Sequence, residues 1–141
     1  MIFFVCVFQI LNTKVIFSGR ITEIGAVGPK SLTFNKVDVN IGEAFDGSIF
    51  TAPISGIYKM TFSGQSGHQI AIMVDVNKPE KAFYIHDGEK TDGASHLNNV
   101  SYTWMMKLVE GDKVELISDD PLYASSDIPL TFTGELIHIE N

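Results

Sequence analysis

The sequence predicts an all-β domain, a two-layer sandwich or barrel, and three observations carry that prediction. Strand formers dominate: ten Phe, four Tyr and one Trp stand among many Val, Ile and Thr. Turn residues, twelve Gly among them, cut the chain into short runs at regular intervals. No longer stretch keeps helical spacing without a Gly, Pro or Asn-rich break.

The runs follow one another in order. Val15-Ile16-Phe17-Ser18 reads as the first strand, stopped by Gly19, and a loop with Gly25, Gly28 and Pro29 follows. Ser31-Leu32-Thr33-Phe34 comes next, its alternation carried on by Val37 and Val39 toward Asn40. Asp46-Gly47 is a turn pair that hands over to Ser48-Ile49-Phe50-Thr51, ended by Pro53. In Gly56 to Phe62, Tyr58, Met60 and Phe62 alternate with Lys59 and Thr61, so the even-numbered side faces the core. Gln69 to Val76, a turn over Asn77 to Glu80, and Lys81 to Ile85 complete the first half. Asp87-Gly88 and Asp92-Gly93 bracket a polar loop that runs to Asn99. Val100 to Leu108 and Lys113 to Ser118 read as a hairpin, with Gly111 of Val109-Glu110-Gly111-Asp112 supplying the positive φ. Leu130 to Ile139 is the last strand, and the count is nine or ten antiparallel strands with no helix. Phe34, Tyr58, Met60, Phe62, Trp104, Met106, Leu108, Val114, Leu116 and Phe132 are the expected core.

Two strands carry more information than the rest. Trp104-Met105-Met106 and Leu136-Ile137 place consecutive apolar side chains on opposite faces of one strand. In a two-layer sandwich one face meets the other sheet, and a partner subunit is the simplest cover for the second.

Size and charge bound the rest. At 141 residues the chain makes one domain, and 45% hydrophobic against 19% charged residues excludes disorder and coiled coil. A net charge of -7 repels phosphate backbones and anionic headgroups, so nucleic acid is not an expected partner. Residues 1–13 form an apolar leader ahead of a domain over 15–141. Met1 to Leu11 suits a truncated secretory signal segment, an extra strand or a membrane-associated stub, but is too short for stable membrane insertion. Cys6, the single cysteine, cannot make an intrachain disulfide.

The spacing Phe34, five residues, Asn40, four residues, Phe45, then Phe50, five residues, Gly56-Ile57-Tyr58 and Phe62 resembles the globular C1q domain. That domain is the jelly roll shared with tumour-necrosis-factor-like proteins. Val15-Ile16-Phe17-Ser18 is similar to the family's opening strand, and Leu108 to Val114 to its late hairpin. Leu122-Tyr123-Ala124 with Thr131 to Leu136 is similar to its closing strand. Two departures stand out: Phe45 and Phe50 are two residues closer than usual, and Met60 replaces a Phe. A shorter loop costs little, and Met fills an aromatic site adaptably. The resemblance implies a two-sheet jelly-roll sandwich and a homotrimer, with Trp104, Met105, Ile137 and Tyr123 at its interface. With no Gly-X-Y tract in the sequence, it implies a stand-alone globular head.

Enzymatic motifs fall short. Gly64-Gln65-Ser66-Gly67-His68 has His68 where a nucleophile elbow needs its second Gly, and Pro29 interrupts the would-be phosphate loop Gly28-Pro29-Lys30-Ser31. His68, His86, His96 and His138 show no zinc-ligand spacing. Asp87, Asp92, Asn98 and Asn99 crowd one loop, which reads either as a solvated polar loop or as hard oxygen donors for calcium, with Asp92 and Asn98 as ligands. Related domains bind calcium through acids in this loop, and Asn98 stands where one such acid would be. Asp119 and Asp120 are a solvated turn or a further contribution to ligand binding. Asn99-Val100-Ser101 is a glycosylation sequon, meaningful in a secreted chain. The expectation is a secreted, non-enzymatic, lectin-like C1q-type recognition module that binds carbohydrate, microbial-surface or protein ligands as a homotrimer. A signalling ligand of the tumour-necrosis-factor type, or a plain trimerisation domain, is the alternative.

Overall fold

A computed structural model describes residues 13–22, 25–27, 30–66, 71–86, 98–118 and 122–140. Among these described residues twelve strands pair antiparallel: β1 Ile16–Ile21, β2 Gly25–Val27, β3 Lys30–Ser31, β4 Lys36–Ile41, β5 Ile49–Thr51, β6 Gly56–Ser66, β7 Ala71–Val76, β8 Phe83–His86, β9 Asn98–Leu108, β10 Lys113–Ser118, β11 Leu122–Ala124 and β12 Leu130–Ile139. A short 3-10 helix, Pro79–Lys81, separates β7 from β8. The larger sheet has seven strands in the order β2-β11-β6-β12-β1-β4, with β9 also paired to β6. The smaller has five, β3-β10-β7-β8 with β5 on β10. The two sheets enclose one core, and the architecture is the expected jelly-roll sandwich.

The alternation read from the sequence sets the inner faces. Phe34, Tyr58, Met60, Phe62, Trp104, Leu108, Val114, Leu116 and Phe132 are all buried, and Met106 packs half-buried against them. Rings fill the space between the sheets: Phe17 stacks on Phe45 at 4.6 Å and meets Phe132 edge-on at 5.0 Å. Trp104 stacks over Phe132 at 6.3 Å and meets Phe83 of the other sheet edge-on at 5.8 Å. Such contacts add to area burial because ring quadrupoles favour offset and T-shaped geometry.

Three expectations need correction. The first strand does not stop at Gly19 but runs on to Ile21. A Cβ at Gly19 would lie 2.8 Å from the Phe45 ring and 2.9 Å from the Phe34 Cβ, so this glycine makes room for packing rather than a turn. The run Ser31 to Phe34 is not one strand, because only Lys30–Ser31 pairs. Leu32 and Phe34 are buried in extended chain tied by Leu32 N–H to the Leu116 carbonyl, 2.8 Å, and Phe34 N–H to the Gly47 carbonyl, 2.7 Å. Finally, β9 and β10 are no hairpin: β9 belongs to the larger sheet and β10 to the smaller. The turn closes as expected, with Asp112 N–H on the Val109 carbonyl at 2.9 Å and Gly111 at φ 92°, yet it carries the chain across the sandwich. Short β2, β3 and β11 raise the strand number above the nine or ten expected.

Candidate functional face and pole

The outward side of the larger sheet has a structure of its own. Its register sets side chains in rows across the strands. One row reads Met105, Lys59, Glu135, Ile16, Ile41; the next reads Thr103, Thr61, Thr133, Ser18, Val39; the third reads Ser101, Ser63, Thr131, Arg20, Lys36. Strand periodicity makes this so, because each neighbour in a row is odd-numbered on β6, β9 and β12, while Tyr58, Met60, Phe62, Trp104, Leu108, Leu130 and Phe132 are even-numbered and buried. Hydroxyls hydrogen-bond in pairs, Thr61 with Thr103 at 3.0 Å and Ser63 with Thr131.

Apolar side chains stand open on this face and at its edge. Met105 is 68% exposed, Ile137 49% and Ile41 48%. An open groove of about 340 Å³ runs between Ile16, Val39, Lys59, Thr61 and Glu135. Of the four residues expected at a trimer interface, Met105 and Ile137 therefore lie open on the single chain. Trp104 is buried among the chain's own rings, and its Nε1–H has no hydrogen-bond acceptor among the described residues. Tyr123 lies in β11 with its backbone opposite Gln65 and Ala26.

Only part of the expected ligand-binding set falls within the described residues. Asp87, Asp92, Asp119 and Asp120 lie outside the described residues. Asn98 and Asn99 open β9, with backbones opposite Ser66 and Gln65. Pairing of Ser66 with Asn98, Ala71 with His86, Ser118 with Ile72 and Tyr123 with Gln65 gathers the strand ends that flank 67–70, 87–97 and 119–121 at the same end of the sandwich. The strand ends that flank the two acidic segments thus share one pole.

The opposite pole is held by a residue the sequence left as a turn position. Asp112 is buried at 3% exposure, accepts the Val109 N–H at 2.9 Å and pairs with Lys78 at 3.1 Å and Lys81 at 3.6 Å. Burial pushes its carboxyl up, but the Val109 N–H and the two ammonium groups outweigh burial and hold its pKa below the ordinary carboxylate value. Lys81 also donates to the Lys107 carbonyl at 2.7 Å, which ties the short 3-10 helix to the end of β9. A lone Asp beside Gly111 gives no signal of this in sequence, because its lysines come from a different segment.

Among the described residues no three His, Cys, Asp or Glu side chains come together as a metal site would require. Among them, too, no helix is long and apolar enough to cross a membrane.

Comparison with known proteins follows the fold. The C1q domain family matches residues 16–137. The globular domain of zebrafish complement 1qA superposes with a TM-score of 0.73 at 20% identity, covering 89% of this chain and 99% of that one. The Eiger TNF of S. frugiperda superposes at 0.61 with 9% identity, covering 91% and 94%. Murine APRIL superposes at 0.60 with 11% identity, covering 87% and 99%.

Proposed function

The chain belongs to the C1q domain family, and we propose that it is a secreted, non-enzymatic recognition module that assembles as a homotrimer. In this reading the outward face of the larger sheet meets neighbouring copies, and the pole where the strands flanking 87–97 and 119–121 end meets carbohydrate, microbial-surface or protein ligands. One observation carries the proposal: Met105 and Ile137 stand exposed on strands whose other faces are buried, as a face awaiting a partner would. A symmetric trimer multiplies weak loop contacts into avidity on a repetitive surface. Sedimentation equilibrium tests the assembly, with about three times the 15.5 kDa chain mass expected; a clean monomer at micromolar concentration removes the premise. Met105→Asp, which puts a charge in the contact, is expected to yield a folded monomer.

At the polar pole, Asp87, Asp92, Asn98, Asn99, Asp119 and Asp120 are the proposed ligand-binding residues, with Asp92 and Asn98 as calcium donors and Asn99 as a glycan acceptor. Carboxylate and amide oxygens are the hard donors that calcium prefers. Asp87→Ala with Asp92→Ala is expected to weaken ligand binding while leaving the trimer folded. Millimolar calcium is expected to raise the melting temperature by binding the native state; no heat by calorimetry and no thermal shift defeat the calcium assignment. Likeness to APRIL and Eiger TNF favours a second reading, a receptor-clustering ligand. A glycan array separates the two, since a lectin-like head retains selected sugars and a receptor ligand retains none.

A further inference from the structure

The row Met105, Lys59, Glu135, Ile16 places an ammonium and a carboxylate side by side at the middle of the outward face, with apolar side chains on both flanks. Both are exposed, and neither forms an ion pair with the other or with any described residue. Among the other charges on or beside this face, Arg20 grips Asp38 through two hydrogen bonds and Lys107 reaches Glu140 at 3.0 Å, while Lys36 lies out on the edge strand β4. Lys59 and Glu135 are thus the unmatched charges nearest the centre.

Covering this face would bring Met105 and Ile16 out of water and desolvate the two charges between them. A buried charge without a counter-charge opposes association strongly, whereas a matched pair is tolerated or favourable. A partner of single sign would satisfy one charge and strand the other. A second copy presents both signs in the same row, so rotation about a symmetry axis sets opposite charges against each other. Electrostatics favours self-association here for another reason. The whole chain carries -7, which makes copies repel, while at the centre of this face one positive charge stands beside one negative.

We infer that in the trimer Lys59 of each copy pairs with Glu135 of a neighbouring copy, a closed ring of ion pairs that fixes the register of the contact. This rests on the trimer reading above and names the contact that specifies it.

Charge reversal tests the ring. Lys59→Glu and Glu135→Lys each leave like charges facing across the contact, and each is expected to raise the trimer dissociation constant on the order of tenfold or more. The double reversal Lys59→Glu with Glu135→Lys restores opposite signs and is expected to return it close to wild type. Both side chains are exposed, so melting of the separated monomers should be unchanged, and that measurement confirms the variants are folded. Single reversals that associate like wild type, or a double reversal no better than either single, overturn the ring while leaving the trimer standing. Wild-type protein that sediments as a monomer overturns the trimer and the ring with it.

Discussion

The two faces of the larger sheet are made by the same strands and obey different rules. On β12, Phe132 points inward with no exposure and touches Phe17, Phe34, Phe45 and Trp104. Its neighbour Thr133 points outward into a row of hydroxyls. The inner face is chosen for volume, so each ring depends on all its neighbours. The outer face carries hydroxyls, several charges with Lys59 beside Glu135 at the centre, and a few open apolar side chains. A fold needs only the first face, so residues on the second are where function is to be sought.

The sharpest break of this contrast is a truncation on the inner side. Phe132→Ala is expected to cost about 3 to 5 kcal/mol, since it removes a ring from a packed aromatic cluster that cannot collapse around the cavity. Denaturant titration reads the loss directly. An unchanged midpoint would mean that the inward register of β12 is wrong.

Asp112, in the turn at the opposite pole, is a buried charge beside a largely apolar core. Asp112→Ala leaves the Val109 N–H without its acceptor and two partly exposed lysines without their counter-charge, and is expected to cost about 2 kcal/mol. The pH dependence has a definite sign. The folded pKa lies below the unfolded value of about 3.9, so the stabilisation is complete above that value and is lost as pH falls through the folded pKa. Wild type should therefore lose more stability on acidification than the variant. Parallel acid limbs would show that Asp112 is not held as its contacts require.

Legibility in the sequence follows the same division. The inward residues of β6, β9 and β12 were readable because alternation is local, and so was the doubly apolar character of Met105 and Ile137. Pairing was not. Lys59 and Glu135 become neighbours only when β12 docks beside β6, and nothing near either residue announces it. The turn at Gly111 looks the same whether it closes a hairpin or crosses between sheets, since turn chemistry is settled within four residues and sheet membership is not. Gly19 likewise reads as a stop until Phe34 and Phe45 are seen pressing on it. At the polar pole the sequence marked Asp87 to Asn99 and Asp119-Asp120 separately, and register alone gathers their flanking strand ends.

The smallest effect expected is on the outward hydroxyl row, and it sharpens the contrast most. Thr61 and Thr103 face each other directly across β6 and β9 and share a hydrogen bond of 3.0 Å in water. Replacing both with Val removes that bond without stranding a buried group, because each hydroxyl leaves together with its partner. Val keeps the branched shape and strand preference of Thr, so monomer stability should move by no more than about 0.5 kcal/mol. Association is a different matter. With the hydroxyls gone, the apolar side chains from Met105 to Val39 would be joined into a wider patch, and contiguous apolar surface invites contacts that no register selects. Thr61→Val with Thr103→Val is therefore expected to leave the denaturation midpoint alone and add species larger than a trimer in sedimentation velocity. A clean, wild-type boundary would show that the hydroxyl row does not limit association. A large loss of stability would place these threonines among the residues that hold the fold, and the division between the two faces would fail at its centre.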